Sequence, residues 1–132
     1  MEAVRIAHAG GPDRREIENI AYRVRLPDDG VVMHLGDADP APVHYADYAA
    51  HWGARATDVA FPPYWFFAAP QGQAFLTEQL NARHSVGVHV PVEIPAALTN
   101  SGADFFSKPG EERTISLAEQ PQKKRAVNGA EP

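Results

Sequence analysis

Cysteine is missing from all 132 residues, which excludes disulfides and thiolate metal sites together and leaves His, Asp and Glu as the strong ligands. An excess of positive charge is missing too. Twelve Lys and Arg stand against seventeen Asp and Glu, net −5, spread along the chain, so nucleic acid has no electrostatic footprint here and a small or neutral partner is favoured. Nor is there an uninterrupted apolar run. Val59 to Thr77 carries no charge, yet Pro62, Pro63, Pro70, Gln71, Gly72 and Gln73 would break or hydrate a spanning helix, so no membrane segment is expected. Met1 to His8 contains Glu2 and Arg5 and lacks the basic start and apolar run of a secretory signal; the cytoplasm is the default location. With 44% hydrophobic residues, what remains is one globular domain with a modest core.

Strand patterning begins at once. Val4 to His8 reads as a short strand, Gly10 to Glu18 as a loop, and Ile20 to Leu26 alternates apolar with charged residues as a half-buried strand does. Pro27-Asp28-Asp29-Gly30 supplies a turn, with Gly30 free to take positive φ, before a second strand Val31 to Leu35. Asp39 to Pro42 breaks that strand. Val43, Ala46, Ala50, Trp52 and Ala54 predict a helix, weakened by Gly53, and Asp58 to Phe61 a buried strand stopped by Pro62-Pro63. Gln71 to Asn81 reads as a helix with Phe75, Leu76 and Leu80 on one side. Strands follow at Val86 to Val90, Ala103 to Ser107 and Arg113 to Leu117, the last two around a solvated turn at Lys108 to Glu111. Residues 1–118 form the expected domain, and 119–132, poor in large apolar residues, a disordered tail.

The side chains with chemistry stand at strand ends. His8 follows the first strand, Asp37 the second hairpin strand, and His89 lies near the end of a later one; ligands at adjacent strand ends converge at a sheet edge. Each also has an ordinary reading, as a hydrogen-bonded histidine or a capping aspartate. His34, His44, His51 and His84 have no spacing that singles them out, and His44 and His51 are expected on a helix surface. Among the aromatics around Pro62-Pro63, Phe61 and at least one of Phe66 and Phe67 read as core. Tyr64 and Trp65, just past a strand end, are candidates for a pocket wall.

Read together, the strings Arg5 to Gly11, Glu18 to Val24, His34-Leu35-Gly36-Asp37-Ala38, Asp58-Val59-Ala60-Phe61 and Val88-His89-Val90-Pro91 resemble, in order and interval, the second half of a metallo-β-lactamase-fold hydrolase. The resemblance covers residues 4 to 117. Its most specific element is the hairpin ending in His-x-Gly-Asp. It implies an α/β class with one β-sheet and flanking helices, half of an αβ/βα sandwich. By the same resemblance His8 is a ligand of a first metal, Asp37 bridges two metals, and His89 is a ligand of the second. The implied cofactor is zinc, with Mn²⁺ or Fe as alternatives that these ligands also accept, in a two-metal site where a coordinated water is deprotonated and attacks an ester, amide or phosphoester.

One departure is large. The family's His-x-His-x-Asp-His is absent, since no two of the six histidines lie two positions apart. One carboxylate and one histidine per metal are fewer than the three protein ligands a hydrolytic zinc ordinarily has. The expectation is therefore a truncated or split hydrolase, inactive alone, taking a small-molecule substrate only once completed by another copy or a complementary chain. The alternative is a non-catalytic binding or assembly module that kept the scaffold.

Overall fold

The computed structural model describes residues 1–116. Pro27 sets the turn between the hairpin strands: Asp29 N–H donates to Leu26 O at 2.9 Å and Leu26 N–H to Gly30 O at 2.7 Å. The left-handed residue is Asp29, at φ 71°, rather than Gly30. The turn begun by Pro27 puts the positive φ one residue earlier than expected, at a residue type that tolerates it.

This turn pairs β2 (Ile20–Arg25) with β3 (Val31–His34) in antiparallel register, Tyr22 opposite His34 and Arg25 opposite Val31. On one side β1 (Glu2–Arg5) joins β2 antiparallel; on the other β4 (Thr57–Phe61), β5 (Ala82–Gly87) and β6 (Asp104–Phe105) add in parallel, giving a mixed sheet in the order β1-β2-β3-β4-β5-β6. The chain is thus α/β, a six-stranded sheet with helices packed on it. Two strands are displaced from their expected ranges. β1 lies towards the N-terminus, leaving His8 in an isolated bridge to Ala38, and β5 stops at Gly87 because His89 turns the backbone to φ 65°.

Register decides which face each residue occupies. Arg23, Met33, Ala60 and Ser85 line one face, and Val24, Val32, Val59 and His84 the other. The first face carries the core, where Met33, Leu35, Tyr45, Trp52, Ala60, Phe66, Phe75 and Leu80 are buried. Here the alternation of β2 inverts its usual meaning: Ala21 and Arg23 point into the core, while Ile20 and Tyr22 stay 38% and 39% exposed on the second face. Arg23 is 3% exposed, donating to Glu2 Oε1 at 3.0 Å and to His51 O at 2.5 Å. His51, expected on a helix surface, instead has its Nε2 enclosed without a partner, and burial, then the Arg23 guanidinium, lowers its pKa. Phe61, expected in the core, is half-buried on the second face, stacked on His34 and on Phe106.

The helix expected over Val43 to Ala54 breaks up. Two 3₁₀ turns, Pro42–His44 and Ala46–Tyr48, precede the single turn of α1 (Ala49–Gly53). Tyr45 explains the break: its O–H donates to Asp39 O at 2.5 Å, and its carbonyl accepts both the Trp52 indole N–H at 3.2 Å and Tyr48 N–H at 3.1 Å. Further on, α2 (Trp65–Ala68) leads to α3 (Pro70–Ala74), which continues into a π-turn, Phe75–Gln79, closed by Leu80 N–H on Phe75 O at 2.9 Å. Phe75, Leu76 and Leu80 are buried together as their spacing requires. A helix the sequence pattern did not announce, α4 (Ala96–Ser101), is anchored by Leu98, 1% exposed, and ends at Gly102 with φ 75°. Arg113 to Ser116 form no strand; Leu117 and the expected tail lie outside the described residues. Among the described residues no helix is long and apolar enough to cross a membrane.

Candidate functional site at the carboxyl edge of the sheet

Because β1 runs antiparallel to β2 and β2 to β3, the strands β1, β3, β4 and β5 all point the same way. The segments leaving them therefore collect at one edge, where open α/β sheets build their sites. His8 comes from the exit of β1, Asp37 from β3, Tyr64 and Trp65 from β4, and His89 from β5. The edge is laced by backbone bonds: Ala9 N–H to Asp37 O at 2.8 Å, Asp39 N–H to Ala7 O at 2.9 Å, Tyr64 N–H to Val88 O at 2.9 Å.

Asp37 is presented by a turn that only glycine fits. Gly36 sits at φ 62°, and a Cβ there would fall on Asn19 Oδ1. That oxygen accepts Asp37 N–H at 2.7 Å, and Asn19 Nδ2 donates to Leu35 O at 3.1 Å. Buried Asn19 thus fixes the turn from both sides. Nothing in its sequence neighbourhood distinguishes it, since an asparagine before a strand is ordinary and its partners lie sixteen and eighteen residues away.

The Asp37 carboxylate stands between two imidazoles. His8 Nε2 is 3.2 Å from Oδ2, and His89 Nε2 is 3.4 Å from Oδ1. His8 Nδ1 lies 2.6 Å from Ala9 O, a carbonyl that only accepts, so Nδ1 carries a proton. The Nε2 atom is thereby turned towards the carboxylate oxygen, where a cation could be held between them. Two donors bonded at about 2.1 Å to one tetrahedral zinc are roughly 3.4 Å apart, so either pair has the spacing of neighbouring ligands. The three do not surround one point, however, because each histidine addresses its own carboxylate oxygen. Consistently, among the described residues no group of three or more His, Asp or Glu is disposed to hold a metal ion.

Trp65 walls this edge. Its indole N–H donates to Ala38 O at 2.8 Å, and its ring meets His89 edge-on with centroids 5.3 Å apart; Tyr64 packs on Trp65 at the same separation. The other histidines are elsewhere or otherwise engaged: His44 lies 3.5 Å from Asp39 Oδ1, and His84 3.0 Å from Asp104 Oδ2 at the far strand pair.

His89 holds a left-handed backbone although it is not glycine, and strain of this kind gathers at functional sites. Its side chain is 55% exposed and fills no core space. Replacing it by glycine relieves the φ strain but frees the unfolded chain, so His89→Gly is expected to match the parent's stability in urea denaturation to within about 1 kcal/mol. No protein-family model, curated protein or solved structure matches the chain.

Proposed function

We propose that these residues are the second half of a metallo-β-lactamase-fold hydrolase, with His8, Asp37 and His89 as its share of a two-metal centre. One observation carries the reading: Asp37 is addressed through separate oxygens by a histidine on each side, the disposition of a carboxylate that bridges two ions. The donor set suits zinc, two neutral imidazole nitrogens and a carboxylate, with His8 oriented by Nδ1–H on a backbone carbonyl as ligating histidines generally are. Bound divalent metal would supply Lewis acidity towards an ester, amide or phosphoester oxygen and an acidified water. This chain's own residues would hold and orient: Asp37 by its turn on Asn19, His8 by Ala9, His89 by the Trp65 edge.

The sheet supports the same reading. β2 puts Ile20, Tyr22 and Val24 on the face away from Trp52 and Phe75, so the strand is written as one covered on both sides, as in a two-sheet sandwich. With one histidine per ion the site hydrolyses nothing until a complementary segment adds ligands. The absence of a three-ligand group favours a second reading, an assembly module with the scaffold but no metal.

Zinc titration by calorimetry, after chelator treatment and dialysis, separates the two. Saturable binding is expected, weakened roughly 30-fold by Asp37→Asn and tenfold by His8→Ala. Binding no tighter than that of a His8→Ala, Asp37→Ala double variant would overturn the metal reading and leave the module. The chain alone is expected to hydrolyse esters, β-lactams and phosphodiesters no faster than the double variant; turnover abolished in that variant would show the site complete.

A further inference from the structure

Beside His8 lies a cleft of about 390 Å³ whose walls include His8, Pro12, Arg14, Arg15, Asp39 and His44. Its size is that of a small-molecule pocket. The charges in it are unequal in their freedom. Asp39 Oδ1 is engaged by Ala41 N–H at 2.8 Å and by His44 Nε2 at 3.5 Å. Arg5, the other arginine of this region, is engaged by Glu18 at 3.4 Å. Among the described residues Arg14 and Arg15 have no side-chain hydrogen bond or ion pair, although Asp13 and Glu16 flank them in the chain.

Arg14 and Arg15 are exposed, but the turn that carries them is fixed. Gly11–Arg14 form a 3₁₀ turn entered through Gly10 at φ 112°, and the Arg14 stem lies where a side chain on Gly10 would be. Arg15 N–H donates to Pro12 O at 3.2 Å and Ile17 N–H to Arg14 O at 3.0 Å, holding the two arginines on successive turns. The remaining wall, Ala7, Gly11 and Pro12, is apolar.

We propose that this cleft is the substrate's anion subsite: Arg14 and Arg15 grip a phosphate or carboxylate group, and an apolar body of the same molecule lies along Ala7 and Pro12, next to His8. Guanidinium groups suit this task because their forked donors match the oxygens of either anion. The assignment rests on the reading of His8 as a residue of the reaction site only for the word substrate; the anion site itself needs no metal.

The test exploits that separation. The ¹⁵N-labelled chain, in chelator, is titrated with phenyl phosphate, benzoate and, as neutral control, benzyl alcohol, following amide shifts. Saturable shifts at Ala7, Gly11 and Arg15 are expected with one or both anions, the tighter one identifying the group, and none with benzyl alcohol. Arg14→Gln with Arg15→Gln should raise the dissociation constant about tenfold or more, and 0.5 M salt should weaken binding. Asp37→Asn should leave it within about threefold, since Asp37 does not line the cleft and the anion is held by arginine. Equal binding of benzyl alcohol, shifts confined to the opposite end around Arg25 and Arg55, or no change in the arginine variant would each overturn the proposal. Loss of zinc binding with anion binding intact would overturn only the metal reading.

Discussion

Gly72→Ala is expected to cost about 3 kcal/mol, the upper end of what overpacking ordinarily costs, although alanine is the better helix former. Gly72 is buried in α3, and a Cβ there would stand 2.5 Å from Phe66 O and 2.8 Å from Phe66 Cα. Both obstacles are backbone, so no rotamer change relieves them. The neighbouring helix α2 must move, and with it Phe66, 0% exposed, whose ring meets Phe75 at 6.2 Å. α2 also begins with Trp65, which donates to Ala38 O and abuts His89, so the disturbance reaches the candidate site. Gly53→Ala is the control: Gly53 is also helical, as the last residue of α1, its φ is ordinary and a Cβ there meets nothing within 4 Å. It should hold or gain up to about 1 kcal/mol. Thermal denaturation reads the contrast as a drop of roughly 12 °C against no loss. A Gly72→Ala variant that melts with the parent would mean that α2 and α3 do not approach as closely as described.

Where local chemistry decides structure, the sequence could be read. Pro27 and Asp28 make the hairpin turn, and the spacing of Phe75, Leu76 and Leu80 marks the buried side of the second helical stretch. Strand ends put His8, Asp37 and His89 at one sheet edge, where both imidazoles lie within 3.4 Å of the Asp37 carboxylate. What could not be read depends on partners distant in the chain. Arg23 looks like the solvent side of an alternating strand until His51, twenty-eight residues on, is folded above it. The helix over Val43 to Ala54 is broken by Tyr45, whose hydroxyl and carbonyl serve residues on either side, and nothing in its periodicity says so. Arg14 and Arg15 read as loop charge because a loop's charges reveal their neighbours only once the loop is placed against His8 and His44.

Gly36→Ala is expected to be costly in a way that also reports on the site. The substitution must hold alanine at φ 62°, which costs about 1–2 kcal/mol, and its Cβ would fall on Asn19 Oδ1 and lie 3.3 Å from Ile20 O. The Asn19 side chain could swing aside, but it is 8% exposed and makes two hydrogen bonds, to Asp37 N–H and Leu35 O. Moving it leaves buried polar groups unpaired, a further 1–3 kcal/mol or so, for a total near 3 kcal/mol. Gly102→Ala separates the two contributions: its φ of 75° is equally unfavourable, yet a Cβ there meets nothing within 4 Å, so it should lose only about 1 kcal/mol. The difference, about 2 kcal/mol, is what the Asn19 contact contributes. Zinc affinity should follow the same order, since freeing the Asp37 N–H from Asn19 lets the carboxylate leave its place between the two imidazoles. A loss of about tenfold or more in Gly36→Ala, with Gly102→Ala unchanged, is the expected calorimetric result. Equal losses of stability in the two variants would mean that φ alone sets the cost and that Asn19 does not hold the turn.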